Sequence, residues 1–81
     1  MLVHIRLFAS LRDTIGRDRL ELELPEGATA ETAWGRLVEA HPGLAGRRPS
    51  LAVAVNRAYE RFDAALADGD EVVFIPPVSG G

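Results

Sequence analysis

From Leu2 to Ala9 the chain alternates. Val3, Ile5, Leu7 and Ala9 fall on one face, and His4, Arg6 and Phe8 on the other. That pattern predicts a half-buried strand with one aromatic, Phe8, on its polar side. "SLRDTIG" predicts a short helical turn. Ser10 is placed to cap it, Asp13 suits its first turn, and Gly16 can take the left-handed conformation that ends it. "RLELEL" alternates again, with Leu20, Leu22 and Leu24 inward and Arg19, Glu21 and Glu23 outward. The first two strands are therefore expected to pair antiparallel, the second closed by Pro25 and Gly27.

The main helix is predicted over "TAETAWGRLVEAHPG". Thr29 is its expected N-cap, and Glu31 favours the positive end of the helix dipole. Ala30, Ala33, Trp34, Leu37 and Val38 form the apolar stripe, and Pro42-Gly43 stops the helix. Thr32 stands where a capping box would prefer an acidic residue or glutamine. Gly35 costs about 1 kcal/mol relative to alanine in a helix interior, and a close approach to the sheet would explain it.

A third strand is expected from Leu51 to Val55, with a turn at Asn56-Arg57. "AYERF" suits a short edge strand, "ALADGD" a turn, and "EVVFIP" the last strand, ended by Pro76. The order β-β-α-β-β predicts an α+β roll, a mixed sheet of four to five strands with one face covered by the main helix.

Length and composition narrow the class. The 81 residues suit one domain, and 47% apolar and 26% charged residues are ordinary for a globular protein. No apolar run approaches the ~18 residues of a membrane span, and "MLVHIRLFAS" lacks the pattern of a signal peptide. The expected compartment is the cytoplasm, without a membrane partner. There is no cysteine, hence no disulfide, thiolate nucleophile or zinc knuckle. There is no lysine, and all nine basic residues are arginine. The net charge of −3 with scattered basic residues argues against nucleic acid as a partner. The one basic pair, Arg47-Arg48, is expected in a solvated loop.

Self-contained chemistry is hard to find. Asp68, Asp70 and Glu71 cluster, but lack the further oxygen ligands of a calcium loop, so a solvated turn is expected. His4 and His41 lie in different predicted elements, and Ser79 has no evident base. Gly80-Gly81 precedes no helix, so no phosphate loop is present. No metal site is expected.

The surface and the tail remain. On the last strand Val72 pairs with Phe74 on one face and Val73 with Ile75 on the other. An open face carrying Phe8, Tyr59 and Ile75 would be an apolar partner patch; scattered surface apolars are the alternative. Pro76 and Pro77 favour departure as polyproline II, and six extended residues reach roughly 20 Å. Glycine is the narrowest residue, so Pro76-Pro77-Val78-Ser79-Gly80-Gly81 reads either as a frayed end or as a thin segment for a deep channel. The expected division is a domain over 1–75 and an extended tail over 76–81.

"LFASLRD", "TAETAWGRL", "AVN" and "LADGDEVVFIPPVSGG" together resemble the small subunit of molybdopterin synthase, over the whole chain and in element order. The most specific part is D-G-D-E-V, further apolar positions, then P-P-V-x-G-G; the Gly-Gly end alone is shared by many ubiquitin-like proteins, and the Pro-Pro-Val before it is narrower. The resemblance implies a ubiquitin-like β-grasp fold. It also implies that an E1-like adenylating enzyme uses ATP to activate the carboxylate of Gly81, and that a sulfur donor converts it to a thiocarboxylate. The large catalytic subunit, in a heterotetramer, would then receive the tail, and sulfur would pass to cyclic pyranopterin monophosphate. The chain itself would bind no cofactor. The family docks partners on an apolar sheet face, to which Phe8, Tyr59 and Ile75 correspond; the family more often has an aromatic where Ile75 stands.

Three rivals stay open. A carrier for thiamine, cysteine or tRNA thiolation would use the same tail. A protein modifier would join Gly81 to a target lysine, but could not build lysine-linked chains on itself. A plain interaction module would leave the carboxylate inert.

Overall fold

Val3, Ile5 and Leu7 are buried while His4 is exposed and Arg6 half-buried, so the first strand has the faces its alternation predicts. In the computed structural model, which describes residues 1–77, this strand is β1 (Leu2–Leu7). It is followed by α1 (Ala9–Ile15), β2 (Arg19–Glu23) and α2 (Ala30–Ala40). Two 3-10 turns (Pro42–Leu44 and Arg48–Ser50) lead to β3 (Ala52–Val55), β4 (Ala58–Glu60) and β5 (Glu71–Ile75). The sheet order is β2-β1-β5-β3-β4. β1 pairs antiparallel with β2 and parallel with β5; β3 pairs antiparallel with β4 and β5. This mixed sheet with α2 across one face is the β-grasp roll that the resemblance implied.

The core lies between sheet and helix. Val3, Ile5, Leu7, Val53, Val72 and Phe74 meet Ala30, Ala33, Trp34 and Leu37 of α2. Phe74 is the hub: the Trp34 ring meets it edge-on at 5.2 Å, and Phe62 stacks on it at 6.0 Å. Val72 and Phe74 thus take the helix side, leaving Val73 and Ile75 on the open side. Leu20 and Leu22 pack half-buried against the core's edge.

Both helix starts differ from expectation in detail. β1 ends at Leu7, and the place expected for Ala9 in the strand is lost: Ala9 has φ 49° and is exposed.

 Positive φ at Ala9 turns the chain out of the sheet and into α1. The N-cap is Phe8, whose carbonyl accepts from Leu11 and Arg12 at 3.1 and 3.3 Å, with no side-chain cap. Ser10 therefore does not cap; it lies inside the helix, and its carbonyl accepts from the Thr14 hydroxyl. Asp13 falls beyond the first turn, beside Arg12. Gly16 ends α1 in the left-handed conformation (φ 85°), its N–H donating to the Arg12 carbonyl at 2.7 Å.

At α2 the capping box closes without an acidic residue. Thr29 Oγ1 accepts from the Thr32 N–H at 3.3 Å, and the Thr29 N–H donates to Thr32 Oγ1 at 3.2 Å. The next free donors of the helix are also used: the N–H groups of Ala30 and Glu31 donate to the carbonyls of Ala64 and Phe62. The loop before β5 is thereby pinned to the start of α2. Gly35 is exposed, and a Cβ there would meet nothing within 4 Å, so close approach to the sheet does not explain it.

Two segments expected to be merely solvated are tied into the fold. Arg48 is half-buried: its Nε donates to both Glu31 carboxylate oxygens, and its guanidinium covers the Phe62 ring. Asp68 Oδ1 accepts from the Leu2 N–H at 2.7 Å. Asp70 accepts from the Ala67 N–H and from Asn56 Nδ2, which fixes the turn before β5 against the β3–β4 hairpin.

Candidate functional site: the open sheet face and the root of the tail

Among the described residues no helix lies over the face opposite α2, and its side chains follow from register. Leu7 pairs with Phe74, so one step further Phe8 lies beside Ile75, and Ile75 pairs with Ala52. The next row back is Arg6, Val73, Ala54 and Tyr59, from β1 through β5 and β3 to β4. With strands about 4.8 Å apart, the row spans roughly 14 Å. Phe8 is 44% and Tyr59 76% exposed, and they are the two large hydrophobic residues that stand out from the described surface. Ile75 is half-buried between them.

The three predicted patch residues thus share one face, but not equally. Phe8 and Ile75 are neighbours, while Tyr59 stands on the edge strand with β3 between it and β5. Phe8 is held by its own backbone, which caps α1, and by Arg6, whose Cζ lies 5.3 Å from its ring centroid. Its display therefore does not depend on burying the ring.

β5 is a central strand, and its C-terminal end emerges beside Phe8 and Ala52. Pro76 is half-buried and Pro77 exposed, both beyond the last residue of β5. The root of the tail and the Phe8–Ile75 pair therefore share one end of the sheet. Val78, Ser79, Gly80 and Gly81, on which the tail chemistry was expected, lie outside the described residues.

Catalytic groups do not gather here. Among the described residues, no three His, Cys, Asp or Glu side chains form a group that could hold a metal. His4 lies on the open face with Nδ1 3.1 Å from Glu21, and His41 caps the far end of α2. Nor is any helix of the described residues long and apolar enough to cross a membrane. What this face offers is a binding surface.

One cluster escaped the sequence reading. Arg6 and Arg19 are direct cross-strand partners, and with Arg17 they line a shallow groove of about 470 Å³ beside His4, Glu21 and Glu71. Arg17 lies two residues before β2, and its spacing from Arg19 does not show that either meets Arg6. Their meeting with Arg6 is set by the register of β1 on β2.

The profile of the ThiS family matches residues 5–81. The chain belongs to the ThiS family. It is 37% identical over 83 residues to the molybdopterin synthase sulfur carrier subunit of Chlamydomonas reinhardtii, with 100% of both chains covered. To the subunit of the same name from Haemophilus influenzae it is 35% identical over 82 residues, covering 99% of this chain and 100% of the relative. Among solved structures, SAMP1 from Haloferax volcanii superimposes with a TM-score of 0.90 at 31% identity, covering 100% of both chains. These findings agree with the resemblance to the small subunit of molybdopterin synthase, and with a ubiquitin-like β-grasp fold. The ThiS-family match runs through Gly81, and so includes the terminal segment.

Proposed function

We propose that this chain is the sulfur carrier subunit of a molybdopterin synthase and works in the cytoplasm. The observation that carries the reading is end-to-end similarity to sulfur carrier subunits of that enzyme. It is supported by a tail rooted beside an exposed aromatic on an uncovered sheet face.

The chemistry fits the composition. A chain without cysteine cannot carry sulfur as a side-chain persulfide, which leaves a terminal acyl group as carrier. A carboxylate is a poor electrophile. An E1-like enzyme therefore joins the Gly81 carboxylate to the α-phosphate of ATP and releases pyrophosphate. A donor of sulfide-level sulfur displaces AMP from the acyl-adenylate, leaving a thiocarboxylate. In the large subunit that sulfur bonds to a side-chain carbon of the pyranopterin precursor and displaces an oxygen substituent from it, giving a thioester. Water then cleaves the acyl–sulfur bond and returns Gly81 as a carboxylate, ready for another cycle. Phe8, Ile75 and Tyr59 hold the partner, and Pro76 to Gly80 span the distance to its active site.

The test is reconstitution with an activating enzyme, ATP, a sulfur donor, the large subunit and cyclic pyranopterin monophosphate. Intact mass should show one oxygen-to-sulfur exchange on charging, and its reversal on turnover. Thiocarboxylate that is never consumed by large subunit and precursor would refute the synthase reading.

The likeness to SAMP1, a small archaeal modifier protein, favours a second reading, a protein modifier joined through Gly81 to lysines of other proteins. Isopeptide adducts in place of a recoverable carboxylate would select it.

A further inference from the structure

The arginine groove on the β2 side of the open face is not explained by folding. Arg6 and Arg19 face each other directly across β1 and β2, an arrangement of like charges that destabilises a sheet. Arg17 joins them at the same groove. Among the described residues none of the three has a carboxylate partner within salt-bridge distance; the described ion pairs use the N-terminus, His4, Arg12, Arg48 and Arg61. Arg6 Nε is buried and has no hydrogen-bond partner. A buried, unpartnered donor of a charged group is costly and needs a reason.

We propose that Arg6, Arg17 and Arg19 form a docking site for a carboxylate-bearing segment of the protein partner that covers the open sheet face. Guanidinium groups bind carboxylates with paired, directional hydrogen bonds, and a carboxylate docked between them would relieve the Arg6–Arg19 repulsion. The site is continuous with the apolar patch, because the Arg6 guanidinium also lies against Phe8. One partner surface can therefore engage both. The groove's own charges select the ligand. Glu21 and Glu71 line it alongside the arginines, and would repel a long polyanion such as a nucleic-acid strand while leaving room for an isolated acidic side chain. The assignment of that partner as the large synthase subunit rests on the function proposed above; the groove's chemistry does not.

Two measurements separate these. The first titrates an acetylated tetraglutamate amide into the full, isotope-labelled chain at low ionic strength. Amide shifts should cluster at His4 to Arg6 and Arg17 to Glu21, and vanish in an Arg17→Glu/Arg19→Glu double variant. Both positions are exposed, and Glu at 19 would face Arg6, so the variant should melt no lower than the parent. Should it fail to fold, Arg19→Gln serves, with weakened shifts expected. Absent or scattered shifts, or shifts that persist in the variants, overturn the proposal. So does a stronger response to a tetrathymidylate, which would assign the groove to nucleic acid. The second measures association with the large synthase subunit. The double variant should associate about tenfold more slowly at low salt, with a flatter salt dependence. An unchanged rate and salt dependence overturn the proposal. A parent chain that binds the peptide but never the large subunit refutes the synthase reading and supports the groove.

Discussion

Arg48 lies over the ring of Phe62, its Cζ 3.3 Å from the ring centroid, while its Nε donates to both carboxylate oxygens of Glu31 at 3.0 and 2.9 Å. Phe62 in turn stacks on the core residue Phe74. One side chain thus ties the loop before β5 to the first turn of α2. Arg48→Ala should lower stability by about 1 kcal/mol, the scale of a partly exposed cation–π contact with an ion pair. Arg48→Lys should restore only part of this, because an ammonium cannot stack flat and bind both oxygens at once. Urea unfolding of the two variants checks the order; full recovery by lysine would show that charge alone matters.

Gly35→Ala should stabilise the chain by about 1 kcal/mol. The position is in the middle of α2 and exposed, and an added Cβ meets nothing within 4 Å. A raised unfolding midpoint with an unchanged denaturant slope is the expected result. Destabilisation would mean that the glycine serves a contact outside the isolated chain or a strained helix.

Arg57 should prefer to be glycine. Asn56 and Arg57 both have positive φ (50° and 71°) in the two-residue connection from β3 to β4, the pattern of a type I′ turn. A left-handed conformation costs a residue with a Cβ about 1 kcal/mol, and Asn-Gly is the favoured pair at such turns. Arg57→Gly is expected to raise the melting temperature without altering the spectrum of the folded state.

Much of this fold was legible because its strands and main helix have clean periodicity. Val3, Ile5 and Leu7 announced the inner face of β1, and Thr29 with the Ala30-to-Leu37 stripe announced α2. Short-range features were less legible. Ser10 looked like a cap, but the chain turns at Ala9 and starts the helix earlier, using only the Phe8 backbone. Gly35 looked like a packing glycine because composition cannot tell which side of a helix is crowded. Arg48 looked solvated because its partners, Glu31 and Phe62, are distant in sequence. The arginine groove was hidden for the same reason, since Arg6 meets Arg19 only through strand register. The patch residues Phe8 and Ile75 could be placed on a face by alternation; their adjacency needed the parallel β1–β5 pairing.

Phe8→Ala and Tyr59→Ala should weaken binding of the large subunit, by about 2 kcal/mol each if both are hot spots. Stability should change far less than for Phe74→Ala, expected at roughly 3–5 kcal/mol because that ring is fully buried. Calorimetric titration and thermal melting measured on the same samples separate the two effects. Of the two, Phe8 should matter more, because it adjoins Ile75 and the root of the tail. Unaltered affinity in both variants would remove the patch from the partner interface.

Deleting Gly81, or adding one residue after it, should abolish sulfur transfer while leaving the fold intact. The core closes with Val72 and Phe74, and β5 ends at Ile75, so no packing contact of these core residues is removed by a change six positions further on. The proposed chemistry is far more demanding than the packing. The reacting carbonyl is carried on a spacer of fixed reach, and displacement of a reacting group by about 1 Å can cost on the order of 100-fold in rate. One residue of extended chain is about 3.5 Å. The added residue also blocks the original carboxylate in a peptide bond and presents a new one beyond the designed reach. Melting curves matching the parent, together with lost charging or lost turnover, are expected for both variants. Charging and turnover at the parental rate by the Gly81-deleted chain would show that the terminal residue is not the sulfur carrier.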